Sequence, residues 1–155
     1  MKISVLGAGY VGLVTAACFA ELGNEVLACD VDAAKIAMLA KGDVPFYEPG
    51  LGEIVARNAA EGRLVFGIDP KAAVRFGEVV FIAVGTPPGA DDGEADLSYV
   101  RAAALAIGEG LERSRAVVVM KSTAPVGTCG EVERIIRDAL AVRGSALEFA
   151  VVSNP

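Results

Sequence analysis

Residues 7–12 read Gly-Ala-Gly-Tyr-Val-Gly, and an aspartate, Asp30, stands 18 positions after the last of these glycines. Glycines at that spacing suit a backbone that turns sharply, meets a ligand closely and then opens a helix. Gly7 permits the turn, Gly9 has no Cβ to hold a diphosphate away, and Gly12 lets the helix lie against a sheet. The free N–H groups of the helix start would point at the phosphates, backed by the helix dipole. A carboxylate placed like Asp30 can accept hydrogen bonds from the hydroxyls of an adenosine ribose. A 2′-phosphate there would face a like charge about 4 Å away, costing roughly 4 kcal/mol at an effective dielectric near 20. No arginine follows closely to compensate. The pattern points to NAD and against NADP. Asp32 reads as a helix cap, whereas Lys35, one turn on, could reach the ribose or be a solvated lysine.

Glycines alone could mark only a tight turn, so the flanking elements decide. Ile3 to Leu6 is a continuous apolar run with β-branched residues, closed by Gly7. Val11 to Leu22 reads as a small-residue helix stopped at Gly23-Asn24. Glu25 to Cys29 is a second strand, Asp32 caps a helix to about Ala40, and Leu51 to Ala60 is an additional helix. Leu64 to Phe66 is a third strand. Asp69-Pro70 is a cap with proline at the first helical position. Val79 to Val84 is a fourth strand ending at Gly85-Thr86-Pro87-Pro88, and Gly89 to Glu94 is a loop. Asp96 caps a helix to about Leu111, and Ala116 to Met120 is a fifth strand. Thr128 and Glu131 have capping-box spacing ahead of a helix ending near Gly144. Phe149 to Val152 is a sixth strand. Strands buried on both faces, alternating with helices, predict an α/β fold: a doubly wound, parallel, six-stranded sheet with helices on both faces. Two mononucleotide-binding halves make one complete dinucleotide fold, with no linker visible across residues 1–155.

Composition narrows the partners. Of 155 residues, 54% are hydrophobic, yet no run approaches the roughly 18 unbroken apolar residues that span a bilayer. The opening MKISVLG is strand-like rather than a signal peptide, so a cytoplasmic location is expected. A net charge of −6 argues against nucleic acid or an anionic membrane as partner. It leaves room for an anionic small molecule held by a helix end. Histidine is absent, which excludes histidine acid–base chemistry within the chain. Cys18, Cys29 and Cys129 lack metal-ligand spacing and read as core or near-core residues; no metal site is expected.

Further along, the residues resemble the UDP-glucose/GDP-mannose dehydrogenase family. GAGYVGL, CDVD with Lys35, PFYEPGL at 45–51, FIAVGTPP at 81–88, ADLSYV at 95–100, KSTAPVGT at 121–128 and VVSNP at 151–155 occur in that family's order. The first motif is widely shared, whereas YEPGL, GTPP and KST-PVGT together are specific. The resemblance implies an NAD-dependent, two-step oxidation of a sugar C6 alcohol to a carboxylate, forming two NADH. The wording of YEPGL and KST-PVGT implies UDP-glucose, with GDP-mannose or UDP-N-acetylmannosamine as alternatives. It carries cofactor contacts onto Tyr10, Val11, Asp30, Lys35, Thr86 and Thr123, expected to bind the cofactor together with Gly7, Gly9, Gly12 and Gly85. Thr123 is also the candidate for assisting water or proton handling; a helix-entry cap is its plainer reading. Tyr47 and Glu48 are expected to organise the loop before the extra helix. The family's nucleophilic cysteine, lysine, asparagine and acidic pair would all follow Pro155, together with the linking helix and the sugar-nucleotide domain. The fragment is therefore expected to bind NAD without turnover, and the full-length protein to be a homo-oligomer. A non-catalytic NAD(H)-sensing module is the alternative from another class.

Overall fold

The computed structural model describes residues 1–89 and 95–155. β1 (Lys2–Leu6) is followed by α1 (Tyr10–Glu21), β2 (Glu25–Cys29), α2 (Ala33–Leu39), α3 (Leu51–Ala60) and β3 (Leu64–Gly67). The second half comprises α4 (Pro70–Phe76), β4 (Val79–Ile82), α5 (Ser98–Gly110), β5 (Ala116–Met120), α6 (Thr128–Val142) and β6 (Phe149–Ser153). Among the described residues, six strands form one parallel sheet in the order β3-β2-β1-β4-β5-β6. β1 is central: Leu6 pairs with Cys29 on one side and Ile82 on the other. The chain runs outward from β1 through β2 to β3, then crosses back to β4. The turn after β1 therefore sits where the path reverses, and such sheets open a crevice there.

Period-two alternation divides the apolar side chains between two cores. Ile3, Val5, Val26 and Phe81 pack beneath α1 and α3, whereas Leu6, Val80, Ile82 and Val118 pack beneath α4, α5 and α6. α1 lies close to the sheet because it buries Gly12, Ala16, Ala17 and Ala20 there. Ser4 interrupts the apolar run of β1, and its buried hydroxyl donates to the Ala73 carbonyl at 2.5 Å, which removes the cost of an unpaired polar group. On the α1 side, β5 and β6 are less covered: Val117 is half-buried, and Ala150 and Val152 are exposed.

Most expected elements form, with informative differences. β4 stops at Ile82 instead of Val84, because the Ile82 carbonyl takes the N–H groups of Lys121 and Ser122 where β5 itself has ended. α5 begins at Ser98; Asp96 accepts the Ser98 N–H at 2.8 Å from just outside the helix. The capping box at Thr128 and Glu131 does not form. Gly127, at φ +96°, is the N-cap, so Thr128 is already helical and its hydroxyl donates back to the Pro125 carbonyl. Glu131 is taken instead by Arg101 at 2.7 Å. Cys18 is exposed, against the expectation of a core or near-core position, because it lies on the flank of α1 that borders a shallow groove with Val11, Val14 and Leu22. Of the loop expected over Gly89 to Glu94, residues 90–94 lie outside the described residues. Its base is closed by Asp96 N–H donating to the Pro87 carbonyl.

Candidate functional site

Leu6 ends β1, and Gly7 turns the chain at φ +102° while its N–H donates to the Cys29 carbonyl at 2.7 Å. A Cβ on Gly7 would lie 2.5 Å from the Ala83 carbonyl oxygen, so both backbone conformation and space demand glycine. Gly9 is the N-cap of α1 in extended conformation, with no side-chain cap and no acidic residue in the first turn. The first-turn N–H groups of Tyr10, Val11 and Gly12 thus lack intrahelical partners, as at any helix start. A Cβ on Gly9 would meet nothing within 4 Å, whereas one on Gly12 would sit 1.9 Å from the Gly7 carbonyl oxygen. The three glycines therefore do three different things: turn, leave open space, and let the helix seat on its own turn.

A cleft of about 440 Å³ opens at the carboxyl ends of β1, β2 and β4, with α5 as its far wall. Gly7, Gly9, Asp30, Lys35 and Gly85 line it, as do Cys29, Ala83 and Tyr99. Its size falls within the range of small-ligand clefts. The side chains of Tyr10 and Val11 do not line it; they edge a second groove of about 400 Å³ with Lys121 and Asn154, on the other flank of α1. Thr86 and Thr123 are also outside the cleft, joined to each other by the Thr86 hydroxyl donating to the Thr123 carbonyl at 2.9 Å. Ser122, which sequence reading passed over, supports this pair: its hydroxyl donates to the Val84 carbonyl at 2.6 Å, tying the segment after β5 to the segment after β4.

Asp30 is more engaged than its spacing suggests. Oδ2 accepts the Ala8 N–H at 2.9 Å and the Lys35 ammonium at 2.8 Å, and Oδ1 accepts the Asp32 N–H at 3.0 Å. Burial pushes the Asp30 carboxyl up, but Lys35 and the N–H groups of Asp32 and Ala8 outweigh it and hold the group below its ordinary value. Asp30 thus both presents an acceptor to the cleft and braces the glycine turn from behind. Lys35 is not simply a solvated lysine: its ammonium is paired with Asp30 at the edge of the cleft. The like-charge penalty expected against a 2′-phosphate, reckoned for a bare carboxylate, is correspondingly reduced. Asp32 caps α2 as expected, accepting the N–H groups of Ala34 and Lys35 at 3.0 Å.

Cys29 lines the cleft but is 2% exposed. Burial, with the charges of Asp30 and Asp69, pushes its thiol up to about 12. At pH 8 the thiolate would then be only about one part in ten thousand, and the thiolate is the nucleophile. Iodoacetamide at pH 8 is expected to alkylate exposed Cys18 and leave Cys29 unmodified in the folded chain, as read by peptide mass spectrometry; labelling of Cys29 as fast as Cys18 would contradict this burial.

The cleft meets the needs of a dinucleotide. Open space lies beside Gly9, uncapped amides follow it, and Asp30 supplies an acceptor one strand away. Comparison with known proteins agrees. Residues 1–155 match the UDP-glucose/GDP-mannose dehydrogenase family, NAD binding domain. The chain is 55% identical over 155 residues to a UDP-glucose 6-dehydrogenase of Rhizobium meliloti, covering all of this chain and 34% of that protein. A solved UDP-glucose dehydrogenase from Pyrobaculum islandicum superposes with a TM-score of 0.89 at 45% identity, over 99% of this chain and 35% of that one. A GDP-mannose dehydrogenase from Pseudomonas aeruginosa, solved as a ternary complex, superposes with a TM-score of 0.92 at 37% identity, over 100% and 36%. The chain spans about a third of the length of the relatives it matches.

Proposed function

This chain belongs to the UDP-glucose/GDP-mannose dehydrogenase family, as its NAD-binding domain, and from that premise we propose that it carries the cofactor for oxidation of the C6 alcohol of UDP-glucose to UDP-glucuronate. Alcohol to carboxylate is a four-electron change, so two NAD are reduced for each sugar. NAD, when bound, supplies the hydride acceptor. The single observation that carries the cofactor role is the cleft in which the glycine turn, the uncapped start of α1 and Asp30 converge, while the 55% identity to the UDP-glucose 6-dehydrogenase of Rhizobium meliloti supports the choice of sugar.

Within it, the N–H groups of Tyr10 and Val11 hold the diphosphate, and the open space at Gly9 lets it approach. Asp30 accepts from the adenosine ribose, with Lys35 beside it. Gly85, Thr86 and Thr123 border the nicotinamide end, where the mutual bond of the two threonines fixes the edge of β4 and β5. Thr123, exposed at that edge, orients water or a proton near the reacting carbon. Residues 1–155 form one cofactor domain of a longer polypeptide, whose further segments supply the sugar-nucleotide site and the remaining catalytic groups. Two facts support this: the chain spans a third of its relatives, and the α1 side of β5 and β6 leaves Val152 43% exposed, although parallel sheets are ordinarily covered on both faces. Among the described residues, no helix is long and apolar enough to cross a membrane.

The test is stoichiometric. The polypeptide of full natural length, given limiting UDP-glucose and excess NAD, is expected to release two NADH for each UDP-glucuronate, while residues 1–155 bind NAD without turnover. Oxidation of GDP-mannose with none of UDP-glucose would overturn the substrate assignment.

A further inference from the structure

One hydrogen bond ties the start of α1 to the connection between α2 and α3, 38 residues away in sequence. The Tyr10 hydroxyl donates to Glu48 Oε2 at 2.5 Å, and the Tyr10 ring leans on Phe46 with centroids 5.2 Å apart at 52°. Phe46, with Val44, is itself packed half-buried against the core beneath α1 and α3. The tether is thus anchored at both ends. Hydrogen bonding to Glu48, and its charge, raise the Tyr10 phenol above its ordinary value, so the donated proton stays in place throughout the neutral range.

Exposed side-chain bonds usually contribute little to stability. The position of this one is what gives it a consequence. Tyr10 is the first residue of α1, directly after the N-cap Gly9, and among the described residues no side chain caps this helix start. Any shift of the helix backbone that carried the Tyr10 Cα would carry the N–H groups of Tyr10 and Val11 with it, and a ring held against Phe46 and Glu48 resists that shift. We infer that Glu48 is a positioning residue for the dinucleotide: by holding Tyr10 against Phe46, it fixes the first turn of α1 so that its amides meet the diphosphate without rearranging. This rests on the reading that NAD lies with its diphosphate at that turn. Glu48 opposes an anionic ligand by its charge, so its benefit is geometric, and an uncharged acceptor of the same shape preserves it.

The test is NAD titration of the 155-residue chain by calorimetry, with circular dichroism to verify folding. Glu48→Ala is expected to weaken NAD binding about fivefold, in keeping with loss of one partly solvated hydrogen bond. Tyr10→Phe keeps the ring on Phe46 but loses the donor; it should weaken binding similarly, and it serves alone if Glu48→Ala does not fold. Glu48→Gln should bind within about twofold of the parent, or more tightly, because the acceptor remains and the charge is gone. The double variant Tyr10→Phe/Glu48→Ala should be no weaker than the weaker single variant, since both break one bond. In the absence of NAD, the amide resonances of Tyr10 and Val11 should shift in Glu48→Ala, which a role confined to the 41–50 connection would not produce. Multiplying losses in the double variant, or parental affinity in both single variants, would overturn the inference. Failure of the parent chain to bind NAD would overturn the underlying reading instead.

Discussion

Gly12→Ala is expected to abolish measurable NAD binding and to lower folding stability by about 2 kcal/mol or more. The new Cβ would lie 1.9 Å from the Gly7 carbonyl oxygen, 2.9 Å from its carbon and 3.3 Å from the Ala83 Cβ. Two of these neighbours are backbone in the turn that forms the cleft, so relief must come from displacing α1 or the turn. Alanine improves helix propensity by about 1 kcal/mol, but overpacking costs typically 1–3 kcal/mol and more where backbone must move. The clash wins. Gly9→Ala is the informative counterpart. Its Cβ meets nothing within 4 Å, and φ −75° is open to alanine, so the fold should tolerate it while the space reserved for the diphosphate is lost. Urea denaturation with NAD titration on both variants checks the contrast. Equal stability loss at the two positions, or parental NAD affinity in Gly12→Ala, would show that the cleft is not built around this seat.

The same glycines show how far the sequence could be read. Spacing, with a strand before it and a helix after it, assigns Gly7, Gly9 and Gly12 to turn, approach and packing, because glycine's value is local and steric. The six strands were equally legible: each is a short apolar run in a parallel sheet, and its neighbours' identity hardly matters. What could not be read is what depends on distant partners. Lys35 becomes the partner of Asp30 because the cap at Asp32 starts a helix in one particular direction. Glu131 has capping-box spacing, yet Arg101, 30 residues earlier, claims it. Gly127 adopts positive φ and takes the cap position from Thr128, a choice set by the whole 121–127 connection and not by the local pair. Tyr10 and Glu48 have no sequence signal linking them; a tyrosine after G-x-G and a glutamate before Pro-Gly meet only because α3 packs against α1. The cleft thus follows from local rules, whereas its electrostatic tuning follows from tertiary encounters.

That tuning is tested most sharply at Asp30. Asp30→Ala is expected to weaken NAD binding by roughly 10- to 100-fold, the loss of hydrogen bonds from ribose hydroxyls to a charged acceptor at about 1.5–3 kcal/mol. It also strips the Ala8 N–H of its acceptor within a fully buried residue, which should lower stability by about 1–3 kcal/mol. The pH dependence has a definite sign. The Asp30 carboxyl is held below its unfolded value of 3.8, so its contribution is fully present above that value and is lost as pH falls through the lower folded value. The variant should therefore lose the part of the parent's acid sensitivity that lies below about pH 4, and nothing near neutrality. Selectivity should move furthest of all. With Asp30 removed, the Lys35 ammonium loses its partner beside the ribose site and can attract a 2′-phosphate, so NADP affinity should rise relative to NAD by about tenfold or more. Lys35→Ala should act in the opposite sense, leaving Asp30 uncompensated and sharpening the preference for NAD. Parallel titrations of NAD and NADP against the parent and both variants read this directly. If the two substitutions shift the NAD-to-NADP ratio in the same direction, the ion pair does not govern cofactor choice.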